Sequence, residues 1–306
     1  MRVGVSTASL FDILGVEGAF QMLSEVGLDC VDFGFDHDVP MWKVNRGEKD
    51  NIFAQSADAL VEHYSAHKKA ADRYGVSIHQ AHAPFPSWFN GNPDANEFAL
   101  SAIKKCFPIL KMMDCHYLIV HPAMNITQPR ALPEEEMNIN IELYSALIED
   151  ARKYDVVVCL ENMFTVNRRK VWQAVCTDPH EAAMYVDRLN EIAGEKRFAF
   201  CYDTGHGLLA GHDPLIALEV MGSRVETLHV HDNDGWDDQH TQPYSGRMDW
   251  ERLLEGLKMI GYKGAMTMEI GTLCSIYPAE LLKDAYRLAA AEGRYFARRL
   301  TEGENA

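Results

Sequence analysis

Histidine and carboxylate side chains recur at the ends of short apolar runs of this sequence. They stand in the local sequences HAPF, HPA, LENM, YDTGH and HVHD, and a glutamate ends the run AMTME. The set comprises, in chain order, His82, His121, Glu161, Asp203, His206, His229, His231 and Glu269, joined by Asp238 and His240 in the loop before the last run. Imidazole and carboxylate together are ligands for Zn²⁺, Mn²⁺, Co²⁺ or Fe²⁺, whereas Mg²⁺ prefers oxygen ligands.

The repetition of these residues at run ends favours a metal centre over isolated structural side chains. A single histidine in such a position is more often a satisfied core or surface residue. A charged side chain at the end of a buried strand is costly unless it is paired or bound to metal. Six successive runs that end in this way therefore predict a site for one to three divalent ions. His63 and His67 have i, i+4 helical spacing, for which a solvated helix face is the preferred interpretation.

The runs themselves are typical of buried parallel strands. Each is short, rich in Val, Ile and Phe, and apolar throughout rather than alternating, as expected of strands that are covered on both faces. Longer segments of helical periodicity lie between them, for example 18–27, 56–75 and 249–261, and several end at glycine. The eight runs span 2–6, 30–35, 76–83, 117–121, 156–161, 198–203, 225–231 and 265–270.

Eight strand–helix units in 306 residues predict a (β/α)₈ barrel, with a doubly wound open sheet as the alternative. No linker or shift in composition divides the chain, so residues 1–306 are predicted to form a single domain. The C-terminal ends of all strands of a closed barrel meet at one mouth, which would bring the histidines and carboxylates together. The connections at 36–55 and 232–248 are longer than needed, and we expect them to shape the pocket.

The charge of the chain weighs against nucleic acid and against an anionic membrane as partners. Its formal net charge is −16, from 29 Lys and Arg against 45 Asp and Glu, whereas a DNA-binding surface needs a basic patch. The basic clusters are small, namely Arg168, Arg169 and Lys170, and Arg294 with Arg298 and Arg299. No apolar run approaches the ~20 residues of a membrane span, and the start has no signal-peptide pattern. Seven cysteines without a CxxC pair are expected to be reduced, which indicates the cytoplasm.

The motifs resemble those of the xylose-isomerase-like barrel superfamily, which contains sugar isomerases and epimerases and also endonuclease IV. The resemblance extends over nearly the whole chain. Its motifs are HAPF at 82–85, HPA at 121–123, LEN at 160–162, DTGH at 203–206, HVHD at 229–232, D-x-H at 238–240, G-x-x-DW at 246–250 and Glu269. Jointly they are specific for the superfamily, but they do not choose a substrate within it.

The resemblance implies two candidate activities. In the sugar isomerases and epimerases one metal ion is held by two glutamates, an aspartate and a histidine, which match Glu161, Asp203, His229 and Glu269 here; the two glutamates are also the implied catalytic bases. Endonuclease IV, which acts on abasic DNA, holds three zinc ions with additional residues. The additional matches, candidates for binding substrate or further metal, are His82, His121, His206, Asp238 and His240.

A small carbohydrate is favoured over DNA as the substrate by the negative charge and by aromatic residues near the motifs. Trp88 lies between Phe85 and Phe89, and Trp236 follows the seventh run; aromatic walls suit the apolar faces of a sugar. The expected reaction is isomerisation or epimerisation of a ketose or related hydroxy-ketone through an enediolate, and dehydration through the same enediolate is left open. His206 and Arg247 are expected to bind substrate oxygens. Phosphorylation of the sugar and assembly into a homo-oligomer are left open.

Overall fold

Eight parallel strands form a nearly closed barrel in the computed structural model, which describes residues 1–7, 9–125, 130–167 and 170–301. The strands in chain order are β1 (Val3–Ser6), β2 (Cys30–Gly34), β3 (Ser77–His82), β4 (Tyr117–Ile119), β5 (Val157–Glu161), β6 (Phe164–Asn167), β7 (Lys170–Gln173), β8 (Phe198–Asp203), β9 (Val225–His229) and β10 (Met266–Met268). The barrel order is β10-β1-β2-β3-β4-β5-β8-β9, and β6 pairs with β7 in an antiparallel ribbon. A parallel bridge between Val230 and Met268 joins the two ends of the barrel sheet.

Helices follow most of the barrel strands and pack against their outer faces. They are α1 (Leu10–Glu25), α2 (Met41–Val44), α3 (Ala57–Tyr74), α4 (Pro93–Met113), α5 (Pro133–Ser145), α6 (Ile148–Tyr154), α7 (Pro179–Ala193), α8 (Thr204–Leu209), α9 (Pro214–Met221), α10 (Trp250–Met259), α11 (Leu273–Ile276) and α12 (Ala279–Thr301). Short 3₁₀ turns occupy Ile52–Ala54 and Gly222–Arg224.

The long helices begin and end at residues that stabilise those positions. The Ser56 side chain accepts a hydrogen bond from the amide of Ala59 at the start of α3, and Gly75 ends that helix with a φ of 69°. Asn92 caps α4 in the same way through the amide of Ala95. Side-chain oxygens at a helix start satisfy amides that lack an intrahelical partner, and glycine tolerates the left-handed conformation at a helix end.

Small and apolar side chains fill part of the barrel interior below the mouth. Ile119, Cys159, Ala199 and Cys201 form a buried apolar cluster inside it. Side chains alternate between the two faces of a strand, so residues two apart point in the same direction. The position of Cys201 in the interior therefore places Asp203, at the end of the same strand, at the barrel mouth.

The (β/α)₈ prediction is confirmed, and the doubly wound alternative is wrong. β1 pairs with both β2 and β10, and the bridge from β9 to β10 leaves no open edge of the kind that a doubly wound sheet has. All eight predicted runs contain a barrel strand, although several strands are shorter than their runs. The run 265–270, for example, contains a strand of three residues, because apolar residues beyond a strand end can be buried without pairing.

Two connections differ from the sequence-based expectation. The segment 36–55 is long as predicted, but it contains α2 and the first 3₁₀ turn. The ribbon of β6 and β7 was not predicted, because its residues are largely exposed and lack the apolar pattern of a barrel strand. Within the basic cluster at this ribbon, Arg168 and Arg169 lie outside the described residues.

The expectation of a solvated helix face holds for His63 but is wrong for His67. His63 is exposed. The His67 ring packs against Phe11 and Phe33, with ring centroids 5.0 and 5.3 Å apart. Burial, together with the neighbouring His63, lowers the pKa of His67 to about 4. His67 is therefore a packing residue between α3 and the barrel.

We predict that Gly293→Ala destabilises the fold by about 1–3 kcal/mol, because it overpacks the contact between α12 and β1. A Cβ at this position would lie 2.2 Å from Cγ1 of Val3 and 3.2 Å from Cε of Met268. Gly18→Ala in α1 is the matched control: its nearest contact would be an ordinary 3.5 Å to Leu14, so the higher helix propensity of alanine should be neutral or stabilising. Urea unfolding of both variants measures the difference, and equal midpoints would contradict the close contact.

Candidate metal centre at the barrel mouth

Four side chains from the last four barrel strands meet around one point of the mouth. Glu161, Asp203, His229 and Glu269 each offer a ligand atom, and these atoms all lie within 4.8 Å of one another. Nδ1 of His229 lies 3.2 Å from Oε1 of Glu161 and 3.2 Å from Oε2 of Glu269. Its distance to Oδ2 of Asp203 is 3.9 Å. The strand register causes this meeting, because Asp203 and His229 are direct partners in β8 and β9. We call this set the central group.

A second group shares Glu161 with the central group. It consists of His82, His121 and Glu161. Nε2 of His121 lies 2.9 Å from Nε2 of His82 and 3.0 Å from Oε2 of Glu161. The two carboxylate oxygens of Glu161 therefore face different groups, Oε1 toward His229 and Oε2 toward His121. One carboxylate in this position could bridge two cations.

A third group forms where β8 and β9 meet the loop after β9. It consists of His206, His231, Asp238 and His240. Oδ2 of Asp238 lies 2.8 Å from Nε2 of His240 and 3.5 Å from Nε2 of His206. The rings of His231 and His240 are stacked, with centroids 4.1 Å apart and planes 4° from parallel. Nε2 of His231 also lies 3.0 Å from Oδ1 of Asp203, which connects this group to the central one.

Local hydrogen bonds fix which ring nitrogen faces the mouth. The Nδ1–H of His206 donates to the carbonyl of Asn162, so Nε2 is free to face Asp238. The Asn162 side chain in turn donates to the carbonyl of Asp203 and accepts from its amide, which ties β5 to β8. Nδ1 of His82 lies 2.8 Å from the carbonyl of Ala83, which leaves its Nε2 for the second group. Such outer hydrogen bonds set the tautomer and orientation of metal-binding histidines.

The glycine of the DTGH motif is required by close packing. A Cβ at Gly205 would lie only 1.9 Å from Cε1 of His231. Any other residue would push the His231 ring away from Asp203 and from the stacked His240. The motif therefore combines a carboxylate, a histidine and the small residue that lets a second histidine approach.

Buried atoms without partners indicate that the central group fits a cation. Glu161 Oε1 and His229 Nδ1 are buried and lack hydrogen-bond geometry, although they lie 3.2 Å apart. Asp238 Oδ1 in the third group is likewise buried without a hydrogen bond. Buried polar atoms are usually satisfied, and leaving one unsatisfied is costly. Convergent lone pairs of carboxylates and an imidazole are the donor set that a divalent transition metal satisfies.

The carboxylates of the mouth are held in the charged form. Burial would raise the pKa of Glu161, but His229 and His121 outweigh it and keep that pKa well below its ordinary value. Burial opposes ionisation of Asp203 and Asp238 as well, and neighbouring histidines again lower both pKa values. These carboxylates are therefore ready to bind a cation at neutral pH.

The pKa values of two mouth histidines shift in the opposite direction. Burial would lower the pKa of His82, but Asp36 and Glu161 raise it to about 9. Burial would also lower the pKa of His240, but Glu269 and Asp238 raise it to about 9. Without a cation in the mouth these histidines are therefore protonated at neutral pH, and they must lose their protons before they can bind metal.

Two cavities open onto these groups. One of about 430 Å³ lies toward β1 and β2, and another of about 390 Å³ lies toward β4 and the β6–β7 ribbon. They meet along four shared residues, which are Asp36, His82, His240 and Glu269. Among the described residues, no lysine or arginine lines either cavity. The pocket is therefore lined by carboxylates and histidines, with an apolar wall that includes Phe85 and Phe164.

The structure brings together all nine residues that the resemblance implies at the mouth, and their role as ligands stays a prediction. Trp88 and Arg247 are placed differently. Trp88 is half-buried and Arg247 is exposed, and neither lines either of the two cavities at the mouth. Trp236 is 72% exposed and also lies outside both cavity walls.

Three residues at the mouth were missed in the sequence. Asp32 is buried beneath the central group, Asp36 lines both cavities, and Cys201 lies beside Glu161 and His229. Asp32 gave a usable signal, because it is a carboxylate inside the apolar run CVDFGF. Cys201 gave none, since a cysteine in an apolar strand is an ordinary core residue.

The fold and the ligand groups define a parallel α/β barrel with a candidate metal centre at the C-terminal ends of its strands. The family model described as xylose isomerase-like TIM barrel matches residues 20–291. The chain therefore belongs to the xylose isomerase-like TIM barrel family.

Two curated relatives are uncharacterised proteins. MJ1311 of Methanocaldococcus jannaschii is 28% identical over 202 residues, which cover 65% of this chain and 66% of that relative, just under two thirds of its length. ML2432 of Mycobacterium leprae is 23% identical over 287 residues, which cover 89% of each chain. These relatives extend the family without adding an activity.

Several solved structures share the fold at low sequence identity. D-allulose 3-epimerase from Methylomonas sp. in complex with D-allulose has a TM-score of 0.71 at 15% identity, covering 98% of this chain and 97% of that one. The 3-keto-D-glucoside 4-epimerase YcjR from E. coli has a TM-score of 0.69 at 18% identity, covering 96% and 99%. The IOLI protein with a zinc atom has a TM-score of 0.66 at 16% identity, covering 98% of both chains. At these identities the likeness concerns the fold.

A helix that crosses a membrane needs about 20 consecutive, mainly apolar residues. In the described part of the chain, no helix is both long enough and apolar enough to cross a membrane.

We predict that metal uptake near pH 7 releases protons and that metal affinity rises between about pH 6 and pH 9. His82 and His240, with pKa values of about 9, are protonated below that pH and lose the competing protons as the pH rises. Titration of metal-free protein with Zn²⁺ in buffers of different ionisation enthalpy measures the protons released, and competition with a chelator measures affinity across the pH range. Absence of binding would contradict the metal site, and binding with no proton release and no pH dependence would contradict metal binding by His82 and His240.

Proposed function

We propose that this protein is a divalent-metal-dependent isomerase or epimerase that acts on a ketose or related hydroxy-ketone through an enediolate. The observation that carries the proposal is the pair Glu161 and Glu269, each 3.2 Å from the same nitrogen of His229 but on different strands of the mouth. Membership of the family and the fold shared with sugar epimerases support it. The implied ion is Zn, Mn, Co or Fe, held by Glu161, Asp203, His229 and Glu269.

The ion would supply Lewis acidity, which polarises a substrate carbonyl and acidifies the adjacent C–H. The residues of the chain provide the proton transfers. One of the two glutamates takes the proton from the carbon next to the carbonyl, and its ionised form is required for this step. The low pKa of Glu161 keeps that carboxylate ionised. Return of a proton to the same carbon from the opposite side gives the epimer, and return to the neighbouring carbon gives the isomer.

We expect His206 to hold a substrate oxygen. It lines the cavity beside β4 and the ribbon, and its Nδ1 bond to Asn162 fixes the ring so that Nε2 faces the mouth. Burial would lower the pKa of His206, but Asp203 and Asp238 outweigh it and raise that pKa well above its ordinary value. A protonated imidazole can donate a hydrogen bond to a hydroxyl or a carbonyl oxygen.

The lining of the pocket favours a neutral sugar over a sugar phosphate. Phosphate groups are bound mainly through Arg, Lys or helix N-termini, and the described walls of both cavities contain carboxylates and histidines but no lysine or arginine. We therefore expect a free ketose, or a keto-sugar without a phosphate, to be turned over faster than the matching phosphate ester.

The cytoplasmic location inferred from the sequence stays a proposal, supported by seven cysteines that are all unpaired.

A zinc phosphodiesterase that acts on abasic DNA is the second candidate. The observation that favours it is the presence of three connected ligand groups, where a sugar epimerase of the implied type needs only the central one. The net charge of −16 opposes it, because long-range repulsion slows encounter with a polyanion and few phosphates could be neutralised.

We predict that Glu161→Gln and Glu269→Gln each reduce turnover by about 100-fold to 10,000-fold, since each removes a base and a charged ligand. A ketose screen in deuterated water, read by NMR for exchange of the proton next to the carbonyl, measures this. Glu226→Gln is the matched control, because Glu226 lies on β9 with His229 but at the opposite end of the barrel. Full activity of either mouth variant would remove that glutamate from the mechanism.

We predict that the zinc-loaded protein does not incise a duplex with one abasic site at physiological salt. Efficient incision that is lost in Glu269→Gln would favour the phosphodiesterase and overturn the sugar proposal. Absence of incision, together with proton exchange into a ketose, would support the isomerase or epimerase.

A further inference from the structure

Asp32 is a buried carboxylate with no role in the proposed proton transfers. It lies in the middle of β2, is only 2% exposed, and is fixed within the barrel below the mouth. Its Oδ2 lies 2.7 Å from Nε2 of His229, the ring nitrogen that faces away from the central group. A carboxylate in such a position costs free energy to bury unless its partner compensates it.

Two further residues hold Asp32 in place. The Gln80 side chain on β3 donates to Oδ2 of Asp32 at 3.2 Å and to the carbonyl of Leu228 at 3.2 Å. Its Oε1 accepts from the hydroxyl of Thr267 on β10 at 3.3 Å. Gln80 therefore fixes one oxygen of Asp32 while its own side chain is held by β10 and by the backbone next to His229.

This geometry determines which nitrogen of His229 can bind metal. An ionised carboxylate only accepts hydrogen bonds, so Nε2 of His229 must carry a proton and donate it to Asp32. Nδ1 is then the nitrogen that faces Glu161, Glu269 and Asp203. The alternative tautomer would place two acceptors against each other at 2.7 Å.

A purely structural role does not account for Asp32. Among the described residues, no backbone amide donates to its carboxylate, and its Oδ1 is buried without a hydrogen bond. Asp29, three residues earlier, shows what a structural carboxylate looks like here: it accepts from the amide of Val3 and from the guanidinium of Arg294. Asp32 instead accepts hydrogen bonds from His229 and from Gln80, the side chain that orients it.

We propose that Asp32, oriented by Gln80, is a positioning residue that fixes the tautomer and direction of His229 and thereby strengthens metal binding at the central group. The inference rests on the proposed metal site but not on the identity of the substrate. Outer carboxylates of this kind raise the basicity of a metal-binding imidazole, and their loss typically weakens metal binding by about 10-fold to 100-fold.

The test measures metal rather than turnover. Asp32→Ala, Asp32→Asn, Gln80→Met and the control Asp29→Asn are prepared metal-free, and Zn²⁺ affinity is measured by competition with a chromophoric chelator. The absorption spectrum of each Co²⁺-loaded protein reports the geometry around the metal. Gln80→Met keeps every ligand and Asp32 itself, so it tests the orienting bond even if Asp32→Ala does not fold.

We expect Asp32→Ala to bind Zn²⁺ about 10-fold to 100-fold more weakly with an altered Co²⁺ spectrum. Asp32→Asn and Gln80→Met should lose less Zn²⁺ affinity than Asp32→Ala. Asp29→Asn should match the parent in both Zn²⁺ affinity and Co²⁺ spectrum. Parent-like affinity and spectrum in Gln80→Met and in every folded Asp32 variant would overturn the proposal, as would an equal loss in Asp29→Asn. Failure of the parent to bind any metal would overturn it together with the metal site. A parent that binds metal but turns over no sugar would overturn the proposed function alone.

Discussion

The mutual neutralisation of buried charges at the mouth is the constraint on which the rest of this site depends. Glu161, Asp203 and His229 are fully buried, so none of them can rely on water for its charge. Against the effect of burial, nearby imidazoles lower the pKa values of Glu161 and Asp203, and the pKa of His229 is raised in return. A cluster of this kind is stable only while its geometry is kept, because the removal of one charge leaves another unpaired in a dry environment. The barrel provides that geometry through strand register, which no single loop could do.

The sequence predicted the barrel and the composition of its mouth because both depend on local patterns. An apolar run that ends in His, Glu or Asp predicts both a buried strand and the residue at which that strand reaches the mouth. The sequence did not report which nitrogen of His206 or His229 faces the site, because that depends on Asn162 and Asp32 from strands distant in the chain. Nor did it report the exposed β6–β7 ribbon, whose residues bury too little surface to show a pattern. Long-range contacts and exposed elements are thus the part that sequence patterns do not contain.

The choice between sugar and DNA illustrates why a ligand set does not define a substrate. The three groups of the mouth would suit a cluster of ions as well as a single one. Discrimination lies in the surroundings, where the described cavity walls contain no lysine or arginine and the chain carries a net charge of −16. A polyanion would meet this field before it met any metal, whereas a neutral sugar would not be affected by it. Function therefore follows from the site together with its electrostatic environment, and not from the fold.

The two glutamates of the central group are not equivalent, and the difference bears on how protons leave the site. Glu161 is fully buried and its two oxygens face two different groups, so its position depends on both His121 and His229. The Glu269 side chain is 23% exposed and lines both cavities. A proton held on Glu269 can therefore exchange with solvent, while one held on Glu161 is shielded by the surrounding imidazoles. In the proposed reaction, this asymmetry would give the two faces of a bound substrate different access to water, as an epimerase that moves a proton from one face of a carbon to the other requires.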